Sequence, residues 1–442
     1  MRKFVATLLA VMCCVVCVSA ERGGWKSLFN GRNLRGWVKL NGEAEYRIEK
    51  GELVGVSTAN TPNTFLATER EYGNFILELE YKVEEGVNSG VQIRSHSKPE
   101  YKDGRVYGYQ CEIDPAAYCG GIYDEARSGW LYSLYDVPQA QTAFKRGEWN
   151  KMRVEAVGES VRVWLNGEPT ADIVCDKDMS GFIALQVHEI GSRTELVGRT
   201  IRWRNIRIKT EGLEKELSPA IESIPQRNHI PNTISSREAA EGWTLLWNGD
   251  DLSGWKSVAG KDFKKGWSCK DGVLTISPKS GAGDIITERK FHDFELSIDF
   301  KFEKGANSGI KYFIGANGSI GCEFQILDDA NHPDANAGFE GNRKLGSLYD
   351  ILPAEGWKHT RQGDWNTARI VVCGSSVEHW LNGVKILSYE RDNAEWDRLI
   401  SRSKFAKEKN FAAGNNGGHI LLQDHNDMVH FRNLKIRELN KK

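Results

Sequence analysis

Several features that would classify this chain quickly are missing from it. Beyond the N-terminus, no apolar run approaches the roughly 20 residues that a membrane-crossing helix needs. Lysine plus arginine (59) and aspartate plus glutamate (60) nearly cancel. No basic tract or stripe stands out, which argues against a nucleic-acid partner. Proline is scarce, 11 in 442 residues, while glycine (45) and tryptophan (14) are plentiful. The balance is that of an ordinary globular protein, long enough for two or three domains.

The first twenty residues differ from the rest. Arg2 and Lys3 precede an apolar run from Phe4 to Val18, and Val18-Ser19-Ala20 offers the small residues of a signal-peptidase site. Residues 1–20 therefore read as an export signal, and the mature protein is expected to be periplasmic or secreted. A lipid anchor on Cys13, Cys14 or Cys17 fits less well, because Met12, Cys13 and Val16 stand where a small residue belongs. Six cysteines remain after the signal: Cys111, Cys119, Cys175, Cys269, Cys322 and Cys373. They form no Cys-x-x-Cys pair and no Cys/His zinc spacing. Export permits disulfides, yet domains of this size need no staples, so buried free thiols are expected.

What the sequence does have is an internal repeat. WKSLFNGRNLRGW at Trp25 returns as WTLLWNGDDLSGW at Trp243. FILELEYKVEEGVNSGVQI, SLYD, WN followed by a WLNG strand, and IRWRNIRI all return in the same order. A period above 200 residues marks a duplicated domain rather than a solenoid. The halves are placed at 23–210 and 242–440. Residues 211–241 form a polar linker with three prolines and one short helical turn. The second half carries two insertions, a turn-rich one from Asp328 to Lys344 and one with helical spacing from Tyr389 to Phe411.

Within each half, short runs alternate apolar and polar residues between Gly, Asn and Asp. The fold class expected is all-β, two tandem antiparallel sandwiches. Alternation assigns faces. In GFIALQVH, Ile183, Leu185 and Val187 oppose Ala184, Gln186 and His188; in GHILLQDH, Ile420, Leu422 and Asp424 oppose Leu421, Gln423 and His425. Cys111 and Ile113 oppose Gln110 and Glu112, and Phe324 and Ile326 oppose Glu323 and Gln325. Val91 and Ile93 oppose Gln92 and Arg94, and Ile310 and Tyr312 oppose Lys311 and Phe313. A solvated outer face is the plain reading of such polar positions. The recurrence of amides, a carboxylate, an imidazole and a cation favours instead a face that hydrogen-bonds a sugar. Trp164 and Trp380, at matching places on matching strands, are stacking candidates, with packing under a loop as the alternative. Asp328, Asp329, Asn331, His332 and Asp334 cluster in one insertion, where oxygen ligands could hold a divalent metal such as Ca²⁺. The glycine and closing glutamate of an EF-hand are missing, so a polar loop is favoured and no metal ligand is assigned.

Taken together, the NSG-I/V, GxExQILD, SLYD, WLNG, GHILLQDH and FRN motifs resemble the 3-keto-disaccharide hydrolase family over nearly all of both halves. The resemblance implies concanavalin A-like jelly rolls with a concave sugar-binding face, in exported bacterial proteins. It implies cleavage of a glycoside whose C3 hydroxyl has been oxidised, with a carbohydrate substrate supplied by a sugar 3-dehydrogenase. The ketone acidifies the C2 proton; a base removes it, the glycosidic oxygen leaves C1, and water adds back. The candidate acid/base is His425, with Asp424 as orienter and Glu323 as the alternative base; Lys311 would stabilise the enolate. His188, Glu112 and Arg94 are the first-half equivalents, with Gln92, Gln110, Gln186, Gln325 and Gln423 binding the sugar. Conventional double displacement is disfavoured, because Ala117 stands where the E-x-D-x-x-E pattern needs its second glutamate. The rival reading is a carbohydrate-binding protein of the cell envelope without activity.

Overall fold

The structure is a computed structural model that describes residues 24–439, apart from 136, 261, 316–317, 357–362, 409–410 and 412–416. The expected export signal lies outside the described residues. Two compact units divide the chain near residue 224. Four sheets form two β-sandwich domains.

In the first sandwich, the back sheet runs in the order Glu168–Val174, Ser160–Leu165, Asn150–Val157, Phe75–Val83, Thr200–Lys209, Glu52–Val56, Glu45–Glu49. The front sheet runs Gly129–Tyr132, Ile122–Glu125, Tyr107–Ile113, Ser89–His96, Gly181–Val187, Thr64–Tyr72, Trp37–Asn41. Alternation works as the sequence suggests. Val91, Ile93, Cys111, Ile183 and Leu185 are fully buried, as are Leu77, Val154, Val163 and Trp203 of the back sheet. Burying each such side chain contributes roughly 1.5–3 kcal/mol.

The second sandwich repeats the plan. Its back sheet runs Trp267–Lys270, Val273–Ile276, Val429–Glu438, Phe294–Phe302, Asn366–Cys373, Ser376–Leu381, Val384–Glu390. Its front sheet runs Trp255–Ser257, Ile285–Thr287, His419–Leu422, Asn307–Ile314, Cys322–Leu327. Ile298, Phe300, Tyr312, Phe324, Ile370 and Phe431 share one core.

One local device matters for the site. A bulge breaks the strand at Arg94 (φ 46°) and Phe313 (φ 59°), with register shifts at both places. The backbone of the neighbouring strand comes so close that a Cβ on Gly181 or Gly418 would overlap the main chain of Arg94–Ser95 or Phe313–Ile314. This is why both copies of the repeated strand begin with glycine.

Residues 211–241 are not loose. Leu213, Ile221 and Ile224 are buried, and the Ser218 N–H donates to Glu155 Oε1 at 2.9 Å. Ser236–Ala240 is the short helix, capped reciprocally by Ser235 and Glu238. The second insertion contains the helix Ala394–Ser401, capped by Asn393. None of the six cysteines is in a disulfide, and four of them are buried.

Candidate active site

The polar face of the second front sheet is buried rather than solvated. Lys311, Glu323 and Gln325 are 9%, 4% and 1% exposed. Lys311 sits directly across from Glu323 in the register, with Nζ 3.6 Å from Oε2. Lys311 Nζ also donates to the Ser319 carbonyl at 3.3 Å. In its better-satisfied orientation the Gln325 amide donates to Glu323 Oε1 at 3.2 Å and to the Ser308 carbonyl at 3.3 Å. Gln423 follows the end of the strand His419–Leu422, and its Oε1 is buried without a partner among the described residues.

The Asn-Ser-Gly motif now has a physical reason. The Asn307 side chain meets Gln325 at 3.2 Å, and Ser308 Oγ donates to the Gln423 carbonyl at 2.9 Å. Gly309 leaves the space in which the Glu323 carboxylate lies; a Cβ there would overlap Oε1. The first sandwich does the same, with Ser89 Oγ donating to the Gln186 carbonyl at 2.6 Å and Gly90 clearing room for Gln110.

Insertions wall the second face. Tyr349 donates its N–H to the Glu323 carbonyl (3.1 Å) and its hydroxyl to Asp334 Oδ2 (2.8 Å). Arg343 bridges Asp334 and Asp350. The Lys404 ammonium lies 4.1 Å from the centre of the Tyr349 ring, and its main-chain N–H donates to Asp350 Oδ2 at 2.7 Å. Burial raises the Glu323 pKa, and Lys311 and Lys404 offset this only in part. Desolvation lowers the Lys404 ammonium pKa against the pull of Glu323 and Asp350. The face thus holds a carboxylate and an amine whose proton affinities have moved toward each other.

At the rim, ligand atoms of His332, His425 and Asp427 lie within 4.8 Å of one another. His425 is exposed and has no hydrogen-bond partner among the described residues; its ring centre is 6.2 Å from that of His332. Asp424 does not orient it. Its carboxylate is held by the N–H groups of Gly283 (2.9 Å) and Asn426 (3.0 Å), because the strand has ended and the chain is turning.

The first sandwich brings Gln92, Gln110 and Glu112 together without a cation. Gln92 Nε2 donates to Gln110 Oε1 at 2.7 Å, and Gln110 Nε2 to Glu112 Oε2 at 2.9 Å. Burial pushes the Glu112 pKa up to about 8, against the hydrogen bond from Gln110. Gln186 is fully buried, and neither atom of its amide has a partner among the described residues. His188 donates from Nδ1 to the Glu189 carbonyl at 2.7 Å.

Two further expectations need correction. Arg94 does not reach the face: the bulge turns it away, and it donates to the carbonyls of Gly73 (2.9 Å) and Gly158 (2.8 Å). Arg391 serves the matching Gly374 carbonyl at 2.9 Å in the second copy. Trp164 and Trp380 lie on back-sheet strands, not on the site sheet. There Trp164 packs under Arg162 and Trp380 under Arg369. Of the acidic insertion, Asp328 caps its own turn and Asp334 pairs with Arg343. Sequence reasoning missed Lys404 and Arg343 and did not join His332 to His425. The one available signal was that all three lie in or beside insertions unique to the second half.

These features define a class: tandem β-sandwiches that bury a polar sheet face, charged in only one copy. The chain belongs to the 3-keto-alpha-glucoside-1,2-lyase-like domain family, which it matches at residues 24–209 and 242–437. It is 32% identical over 231 residues to a 3-keto-disaccharide hydrolase of Bacteroides thetaiotaomicron, covering 46% of this chain and 80% of that protein. A solved protein of Parabacteroides distasonis, named as a candidate glycosyl hydrolase, is 31% identical over 48% of this chain and all of its own, at a TM-score of 0.43. A Bacillus licheniformis β-glucanase is 13% identical over 43% of this chain and 99% of its own, at a TM-score of 0.29.

Proposed function

We propose that the second sandwich cleaves glycosides bearing a ketone at C3, by elimination and rehydration. The observation that carries this is the buried Lys311–Glu323 pair with Lys404 nearby. It is a base of raised pKa beside two cations, on a face that otherwise offers amides. Glu323 takes the C2 proton, and Lys311 stabilises the charge that moves onto the C3 oxygen. The C1–oxygen bond breaks, and Lys404 gives its proton to the departing oxygen. Water then adds at C1 while a proton returns to C2, so the net change is hydrolysis. Gln325 and Gln423 position sugar hydroxyls. This assigns the base to Glu323 rather than His425, since His425 stands at the rim.

The first sandwich, whose matching row is Gln92, Gln110 and Glu112 with no lysine, is read as a binding copy without turnover. Export to the periplasm or beyond, and supply of the substrate by a sugar 3-dehydrogenase, complete the reading. The test is release of aglycone from a panel of 3-keto-glucosides by the mature chain and by Glu323→Gln. Turnover lost in the variant supports the assignment; equal turnover sinks it.

A further inference from the structure

We infer that His332, His425 and Asp427, in the second sandwich, form a site for one divalent first-row transition metal. Their ligand atoms already lie within 4.8 Å of one another. Two imidazoles and one carboxylate suit Zn²⁺, Co²⁺, Mn²⁺ or Fe²⁺ far better than Ca²⁺ or Mg²⁺, which take all-oxygen shells. Three protein ligands leave positions open for ligand oxygens, the pattern of catalytic rather than structural sites.

The surroundings fit. The Asp427 carboxylate accepts the Asn307 N–H at Oδ2 (3.0 Å), an outer hydrogen bond that fixes its orientation and leaves its second oxygen to give. His425 has no competing partner among the described residues. His332 Nδ1 accepts the Asp334 N–H at 3.1 Å, a bond that ligation through either ring nitrogen would give up. Ligation through Nε2 would shift the ring proton to Nδ1 and exchange that one neutral hydrogen bond for a coordinate bond.

The site is also connected to the buried row. Asp427 holds Asn307, the Asn307 side chain meets Gln325, and Gln325 reaches Glu323. Among the described residues of the first half no such group occurs. By the alignment of the repeated strand, His188 matches His425, but Ile190 stands for Asp427 and nothing matches His332. A metal there would hold neighbouring oxygens of a sugar at the rim of the face; that role, unlike the binding itself, rests on the 3-keto reading above.

The test is titration of the chelator-treated mature chain with Co²⁺, read by its visible d–d absorption. The expected result is one saturable Co²⁺ per chain, displaced by Zn²⁺. Affinity should fall by about 100-fold or more in His332→Ala and in Asp427→Asn, and stay unchanged in His188→Ala. Circular dichroism confirms that each variant is folded. Asp427→Asn keeps an oxygen for the Asn307 N–H, so its loss of metal would not be a loss of fold. No saturable band from the folded wild type, or equal binding by His332→Ala, overturns the proposal. Because the readout is absorption, a protein that binds Co²⁺ but turns over no 3-keto-glucoside would fail the functional reading alone.

Discussion

His379 offers a sharp test of how the second sandwich is built. It is fully buried, donates from Nδ1 to the Gly346 carbonyl (2.9 Å), and accepts at Nε2 from the Tyr312 hydroxyl (2.6 Å). Tyr312 neighbours Lys311 on the same strand, so this network anchors the site strand from beneath. Burial holds the His379 pKa at about 4, below its ordinary 6.5. The sign follows from proton binding. Between these values the unfolded chain binds a proton that the folded chain does not, so stability falls as pH drops from 6.5 toward 4. The loss is about 2 kcal/mol at pH 5 and about 3 kcal/mol near pH 4. Denaturant unfolding of the protein and of His379→Gln, compared across this range, isolates the contribution from that of the carboxylates. The gap between the two proteins should close or invert by that amount on acidification. Parallel stability curves would refute the buried neutral imidazole.

Gly309→Ala should displace the Glu323 carboxylate, lowering kcat on a 3-keto-glucoside by about 100-fold or more while circular dichroism shows the fold intact. Glu112 is raised to about 8, so its folded form favours the neutral acid and loses stability as pH rises from about 4.5 through 8. Glu112→Gln should therefore stabilise the first sandwich by roughly 2–4 kcal/mol at alkaline pH and by little at pH 4, as read by denaturant midpoints.

Strands, faces and duplication were legible because β alternation has a period of two and the repeat confirms each assignment. Gln92, Gln110 and Glu112 stand together in the first sandwich, and Lys311, Glu323 and Gln325 in the second, as that logic implies. Alternation failed where the backbone stopped being regular. The bulge at Arg94 and Phe313 needs positive φ, which no residue preference in that stretch announces. The strand end at Leu422 freed Asp424 from its assigned face. Alternation also says which side of a sheet a residue takes but not which sheet, and so Trp164 and Trp380 were misjudged. Lys404 and His332 reach the site by insertions whose return path is set by tertiary packing. Local sequence carries no trace of Tyr349 lying under Lys404.

The most direct measurement compares turnover of one 3-keto-glucoside by the parent protein, Glu323→Gln and Glu112→Gln. The account predicts activity in the parent, retention in Glu112→Gln, and loss of about 100-fold or more in Glu323→Gln. Loss in Glu112→Gln with retention in Glu323→Gln would place the chemistry in the first sandwich and contradict the account.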